Sequence, residues 1–469
     1  MTRAQRHIHF KIGYKGTTFL RFMQINFEKF VHLQIFLYLC TRKMSNQLSK
    51  IWHSPSARNV GKLLTANVFA QALGILVYPI LTRMYAPEDF ALLSLFTSIL
   101  GVAGLVATAE YQYAIVLPKE EEKAQALVRL SGMITLCVVG VFCLSLPFAE
   151  PIAGLFNAPE LARWWWTMPL SIAVMGAWNI LNYWYIRRQA FARISGYQVS
   201  QSLFSAGSKV GFGALGYLRG GMILATVLAP LVSLAISVGM AWKKHLSGLF
   251  CEPAAPMREV AREYANFPKY NLPRALINSV GQALPVWLLT PCFGLQEVGL
   301  LSLAMMASFV PLSIVTKACY QVLFQKVSVL VQNRQPIGRV LGRFGIVMGG
   351  VLVVGMALLY IVMPQIVALL FGEEWIDSAD IIRALYPYLI LTPICGTICF
   401  LSDVFGKQQT ALWMEVVYVL MMAVALEIGI FLDSFLGSIS MLAWTRFAYL
   451  LVQLLWFVSL VRNYHKTLS

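Results

Sequence analysis

Twelve stretches of about twenty mainly apolar residues follow one another along the chain, each ended by charge, glycine or proline. They lie at 60–83, 90–109, 126–148, 164–186, 197–216, 220–241, 272–292, 297–317, 340–362, 381–402, 410–431 and 437–461. A helix of about 20 apolar residues matches the hydrocarbon thickness of a bilayer, and no water is available there to satisfy an irregular backbone. The pattern therefore predicts an all-α polytopic membrane protein with about twelve transmembrane helices. Composition agrees, with 58% hydrophobic and only 12% charged residues, against about 25% charged in soluble domains. So little charge cannot wet the surface of a 52.4 kDa globule. A cytoplasmic enzyme, a nucleic-acid binder and a secreted domain are excluded on that ground.

The connections are short except at 242–271, which divides the chain six runs from six. The expected organisation is an N-terminal lobe at 44–241, a cytoplasmic linker at 242–271, and a C-terminal lobe with a short tail at 272–469. Orientation follows from Lys and Arg, which collect on cytoplasmic loops. If the segment before the first run is cytoplasmic, 22 of them fall on inside loops and flanks, and only Arg83, Arg163, Arg219 and Arg383 fall outside. Both termini are then cytoplasmic, and the formal charge of +16 is largely a topology signal.

The halves also resemble each other. Phe90-Ala91-Leu92-Leu93-Ser94-Leu95 has its counterpart in Val298-Gly299-Leu300-Leu301-Ser302-Leu303; Pro151–Phe156 in Pro364–Phe371; Arg187-Arg188-Gln189 in Lys407-Gln408-Gln409. Six is an even number, so both copies insert the same way up. The expected repeat is parallel, with two six-helix lobes around a central cavity.

Residues 1–43 carry eight Lys or Arg, one Glu and three His, and their one apolar stretch, 30–40, is too short to span. An over-long start ahead of Met44-Ser45-Asn46 is the favoured expectation, an amphipathic surface helix the alternative.

Ionisable groups inside spanning helices are costly and are functional candidates by default. Lys209, Arg274, Lys317 and Arg446 are the candidate substrate-binding cations, suited to a phosphate or pyrophosphate. For Arg274 and Lys317, as for Arg83, at helix ends, snorkelling to the headgroups is the favoured reading, and for Lys209 and Arg446, deeper in their helices, cavity lining is. Glu110, Asp403, Glu415 and Glu427 stand opposite, and no histidine falls in any run, which gives proton coupling little footing. The eight cysteines show no CxxC spacing and are expected as buried free thiols. Trp164-Trp165-Trp166 reads as an interfacial aromatic belt, and Glu120-Glu121-Glu122 as a solvated helix start. There is no Walker A loop, no clustered set of metal ligands and no Ser/His/Asp set. Catalytic residues, a metal and a cofactor are therefore not expected.

One region is more specific. Asn67 to Tyr85, then Ala86-Pro87-Glu88-Asp89-Phe90-Ala91-Leu92-Leu93-Ser94-Leu95, resembles the opening of the polysaccharide-biosynthesis (oligosaccharide flippase) family, with Ala91 where Gly is usual. Glu110-Tyr111-Gln112-Tyr113-Ala114-Ile115-Val116-Leu117-Pro118-Lys119, followed by Glu120-Glu121-Glu122-Lys123-Ala124, resembles that family's RYExAIxLPKxxxEA signature, with Glu110 and Gln112 departing from it. The resemblance is specific over about 60–125 and architectural over 44–469. It implies membership of the MOP exporter superfamily, with O-antigen flippases, lipid II flippases and MATE drug exporters. It also implies alternating-access translocation of undecaprenyl-pyrophosphate-linked oligosaccharide across a bacterial inner membrane. Implied partners are that substrate, membrane lipids, and the glycan polymerase and glycosyltransferases of the same pathway; nucleic acid is not among them. A MATE-like exporter of small organic cations, and a membrane-embedded glycosyltransferase, polymerase or ligase, are the alternatives.

Overall fold

The computed structural model describes residues 55–241 and 256–468. The extension 1–43, Met44 and linker residues 242–255 lie outside the described residues. The chain divides into two compact units, Met1–Thr65 and Ala66–Ser469. Of the first, only the helical residues 55–65 are described; all packing below concerns the second.

The long helices are α1 (Pro55–Leu81), α2 (Pro87–Val106), α3 (Glu121–Leu144), α4 (Thr167–Arg187), α5 (Phe191–Ala214), α6 (Leu218–Ala241), α7 (Leu272–Gln332), α8 (Gly338–Phe371), α9 (Tyr386–Ile398), α10 (Gln408–Phe431) and α11 (Phe435–Lys466). No strand occurs among the described residues. Helix lies over each of the twelve apolar runs, two of them within α7, which breaks at Gly294 (φ 83°). That positive φ is one glycine adopts without steric cost.

Eight helices among the described residues are long and apolar enough to cross a membrane. α4 and α5 are not in that group; polar residues dilute their apolar character, among them Trp178, Asn179, Gln201, Ser205 and Lys209. The same residues line a cavity described below. α8 leaves Ile346, Leu358 and Ile361 exposed at 78%, 64% and 71%. A face of that kind is a liability in water and is at home in lipid.

Several expectations are corrected by the packing. Of the three tryptophans only Trp166 is exposed; Trp165 is buried and donates from Nε1 to Ser145 Oγ at 2.9 Å. α4 starts at Thr167, because residues 160–164 form a separate short helix. Among the described cysteines Cys395 is buried, while Cys137, Cys143, Cys292 and Cys399 are exposed. A thiol is compatible with a lipid-facing position as well as with a packed core.

α2 packs most extensively against α7. At the end where α2 begins, the two helices approach so closely that a Cβ on Gly299 would lie 1.9 Å from the carbonyl oxygen of Pro87. Phe90 meets Trp375 edge-on at 4.9 Å, Trp375 Nε1 donates to Thr82 O at 2.9 Å, and Arg83 Nη2 donates to Leu369 O at 3.2 Å. At this end α1, α2 and the turn between them are closed against α7, α8 and Trp375 by these contacts. Gly299→Ala is expected to destabilise the purified protein by about 1–3 kcal/mol, because the obstacle is backbone and cannot rotate away. A thermal melt in detergent unchanged from wild type would refute the contact.

Candidate functional site

Among the cavities that the described residues line, four share wall residues. The first, about 560 Å³, takes Trp178 and Asn179 from α4 and Tyr197, Gln201, Ser205 and Lys209 from α5, with Thr97 from α2 and Met306 from α7. The four α5 positions are spaced by four residues, so the helix carries them as one slowly turning stripe. α5 is anchored at this level by Tyr85, whose hydroxyl donates to Lys209 O at 2.7 Å. Lys209 is half-buried, and among the described residues no carboxylate lies within ion-pair distance of it.

The second cavity, about 420 Å³, contains Arg446 and shares Met306 with the first. Arg446 is not free. Its guanidinium carbon lies 4.3 Å from the Tyr418 ring centre, 5.0 Å from Tyr449 and 5.5 Å from Tyr388. Nη1 is 3.8 Å from Glu415 Oε1, and Tyr449 donates to Glu415 Oε2 at 2.8 Å. Three ring faces and a carboxylate surround this charge, while its Nε is buried without a hydrogen-bond acceptor among the described residues.

The third cavity, about 600 Å³, lies at the end opposite the closed one and shares Asn278 and Glu415 with the second. Arg274, which is exposed, lines it together with Glu110 and Asp403. Charges of both signs meet there. Lys317 is exposed and is absent from the linings of these cavities. Lys209, Arg446 and Arg274 thus line cavities that share wall residues, and Lys317 lines none of them.

A fourth cavity, about 520 Å³, is almost wholly hydrocarbon. Ile75, Leu76, Pro311, Val351, Met363 and Leu389 are among its walls, and Met306 again belongs to it. A polar chamber whose ammonium pairs with no carboxylate among the described residues, a second with an arginine beside Glu415, and an apolar chamber therefore share Met306 in their walls. The arrangement suits a molecule that is charged and polar at one end and greasy at the other.

The signature segment has a structural task that sequence reading missed. Glu110, buried and left-handed (φ 63°), opens a 3₁₀ turn at Tyr111–Val116. Burial pushes its carboxyl above the ordinary carboxylate range, opposed by a hydrogen bond with Gln112. Arg187, at the end of α4, clamps the turn. It donates to Ile115 O at 3.3 Å, to Pro118 O, to Lys119 O at 3.5 Å and to Glu120 O at 3.4 Å, and it pairs with Glu121 at 3.2 Å. Arg188 also pairs with Glu121, so the acidic triplet is not merely solvated. The paired basic residues, read in sequence as a topology mark, are what could have pointed to this clamp.

The linker is tied to the same face. Tyr111 donates to Ala261 O at 3.0 Å, and Lys123 Nζ meets Glu263 Oε2 at 2.8 Å. The hydrogen bond from Lys123 holds the Glu263 carboxyl below its usual value. A carboxyl lowered on folding adds stability above its unfolded pKa, and the contribution is lost as pH falls through the lowered value. The pair is exposed, so Glu263→Gln is expected to leave the melting temperature near wild type and to speed protease cleavage of the linker. Unchanged cleavage would discard the latch.

The family model described as polysaccharide biosynthesis protein matches residues 80–380. The succinoglycan biosynthesis transport protein ExoT of Rhizobium meliloti (strain 1021) is 23% identical over 363 residues, covering 76% of this chain and 70% of that protein. The lipid II flippase MurJ in its inward closed conformation superposes with a TM-score of 0.67 at 14% identity, over 87% of this chain and 91% of its own. An inward-facing multidrug-resistance MATE transporter of the MOP superfamily gives 0.66 at 16% identity, over 85% and 96%. With the family model spanning well over half of its length, the chain belongs to the polysaccharide biosynthesis protein family, and its fold is similar to that of these two solved structures.

Proposed function

We propose that the protein is a flippase. It moves undecaprenyl-pyrophosphate-linked oligosaccharide, an O-antigen or exopolysaccharide repeat unit, from the cytoplasmic to the outer leaflet of a bacterial inner membrane, and catalyses no covalent step. The observation that carries this reading is the wall shared at Met306, where a polar chamber whose Lys209 pairs with no carboxylate among the described residues adjoins a hydrocarbon-walled chamber. A lipid-linked glycan has that same division. Its pyrophosphate is a charge-assisted hydrogen-bond acceptor for an ammonium, and its polyprenyl chain gains by lying in an apolar groove. The family relationship and the transport role of the Rhizobium relative support the same substrate class. An exporter of organic cations would be served by an unpaired carboxylate in the chamber, and the lining around Lys209 contains none.

In this reading residues 44–241 and 272–469 are two lobes joined by the 242–271 linker, and both termini are cytoplasmic. The closed contacts of Gly299, Trp375 and Arg83 then face outward, and the chamber of Arg274 faces the cytoplasm. Arg274 meets the pyrophosphate first, Lys209 holds it inside, and the lobes rock to release it. Deleting the gene is expected to abolish display of the dependent surface glycan and to accumulate its lipid-linked precursor. Normal display in the deletion strain would remove the function.

A further inference from the structure

We propose that the α4–α5 chamber is the subsite that reads the sugar, with Trp178 as its stacking platform and Asn179 and Gln201 as its hydroxyl contacts; this rests on the flippase reading. Trp178 stands twelve residues into α4, near mid-membrane, where an interfacial belt has no use for an indole. It is stacked on Tyr197 with ring centres 3.3 Å apart and planes at 9°. Tyr197 is buried at 3% exposure, while Trp178 is only half-buried and lines the cavity. The indole is therefore backed and held flat on one side, with its exposed part turned to a polar space.

Those are the requirements for recognising a pyranose. The C–H face of a sugar ring carries weak positive charge and lies against the negative face of an aromatic system. A platform fixed in advance spares the ordering cost of binding. Each sugar hydroxyl both donates and accepts, and a carboxamide offers both functions without charge. Asn179 adjoins Trp178, and Gln201 follows Tyr197 by one turn. Among the described residues neither amide is committed to another partner. Continuing along the stripe, Ser205 and then Lys209 lie about 12 Å and about 18 Å of helix from Tyr197. One wall thus runs from aromatic, through neutral polar, to cationic. That order matches a chain of sugars ending in a phosphate. The Arg446 chamber differs in that its cation already has a carboxylate beside it, Glu415 at 3.8 Å.

The test uses the full-length protein in phospholipid nanodiscs and two probes: the undecaprenyl-pyrophosphate-linked glycan extracted from the deletion strain, and bare undecaprenyl pyrophosphate. Trp178→Ala and Gln201→Leu are each expected to weaken binding of the glycan-bearing probe by roughly three- to tenfold and to leave the bare probe unaffected. Trp178→Phe keeps most of the affinity, whereas Lys209→Ala weakens both probes. Equal losses on both probes in Trp178→Ala and Gln201→Leu would mean a purely structural role and would overturn the subsite. So would a wild type that binds the two probes equally. If neither probe binds the wild type, the flippase reading itself falls, and the subsite with it.

Discussion

Lys209→Ala is expected to reduce surface glycan display by about ten- to a hundredfold, with normal protein levels and accumulation of the lipid-linked precursor. The estimate is the roughly 1.5–3 kcal/mol attached to a hydrogen bond from a charged group, expressed as a ratio. It applies here because the ammonium has no competing partner: among the described residues no carboxylate pairs with it. Lys209→Arg retains the charge and keeps a large part of the activity, and Lys209→Glu is the most damaging of the series. Arg446→Ala supplies the contrast. Removing that guanidinium strands Glu415 beside three tyrosine rings, so the loss is one of folding. It falls on melting temperature and protein abundance, and Glu415→Gln in the same chain restores part of it. Quantified glycan display, normalised to membrane-inserted protein, separates the two outcomes. Normal display in Lys209→Ala would remove the residue from the transport path.

This contrast marks where sequence reasoning reaches its limit. Bilayer thickness sets the length of an apolar run directly, so the helical layout could be read from one-dimensional spacing alone. The break at Gly294 between the two runs of α7 was legible in the same way. Charge in an apolar run likewise drew attention to Lys209 and Arg446 as equals. What separates them is company: Glu415 lies 31 positions from Arg446, on a different helix, and Tyr388 is further still. No local pattern encodes such a meeting. The stripe Tyr197, Gln201, Ser205, Lys209 is a different case, because its four-residue step is visible in the sequence. Reading by charge alone picked out only its last member. The tryptophan run shows the reverse error, in which a compositional habit was applied to three residues although packing had claimed Trp165 for the core.

The clamp at Arg187 is expected to be the most sensitive structural point of the molecule, and magnitudes distinguish it from its neighbour. Arg187 has 12% of its side chain exposed, against 44% for Arg188. Both reach Glu121, but Arg187 alone also serves carbonyls of the family signature turn. A pair as open as that of Arg188 contributes little, so Arg188→Ala should be nearly silent. Arg187→Ala leaves several carbonyls of a tight turn without donors and should cost on the order of 3 kcal/mol. Arg187→Lys keeps the charge but lacks the planar fork that spans four carbonyls, and it should recover only a fraction. The consequence passes to the linker, because Tyr111 of the same turn holds Ala261. Loosening the turn therefore frees the residues 257–263 helix as well. The expected pattern is a lowered melting temperature together with faster linker proteolysis in Arg187→Ala, and neither in Arg188→Ala. Equal melting temperatures for the two variants would show that the signature turn stands without its arginine.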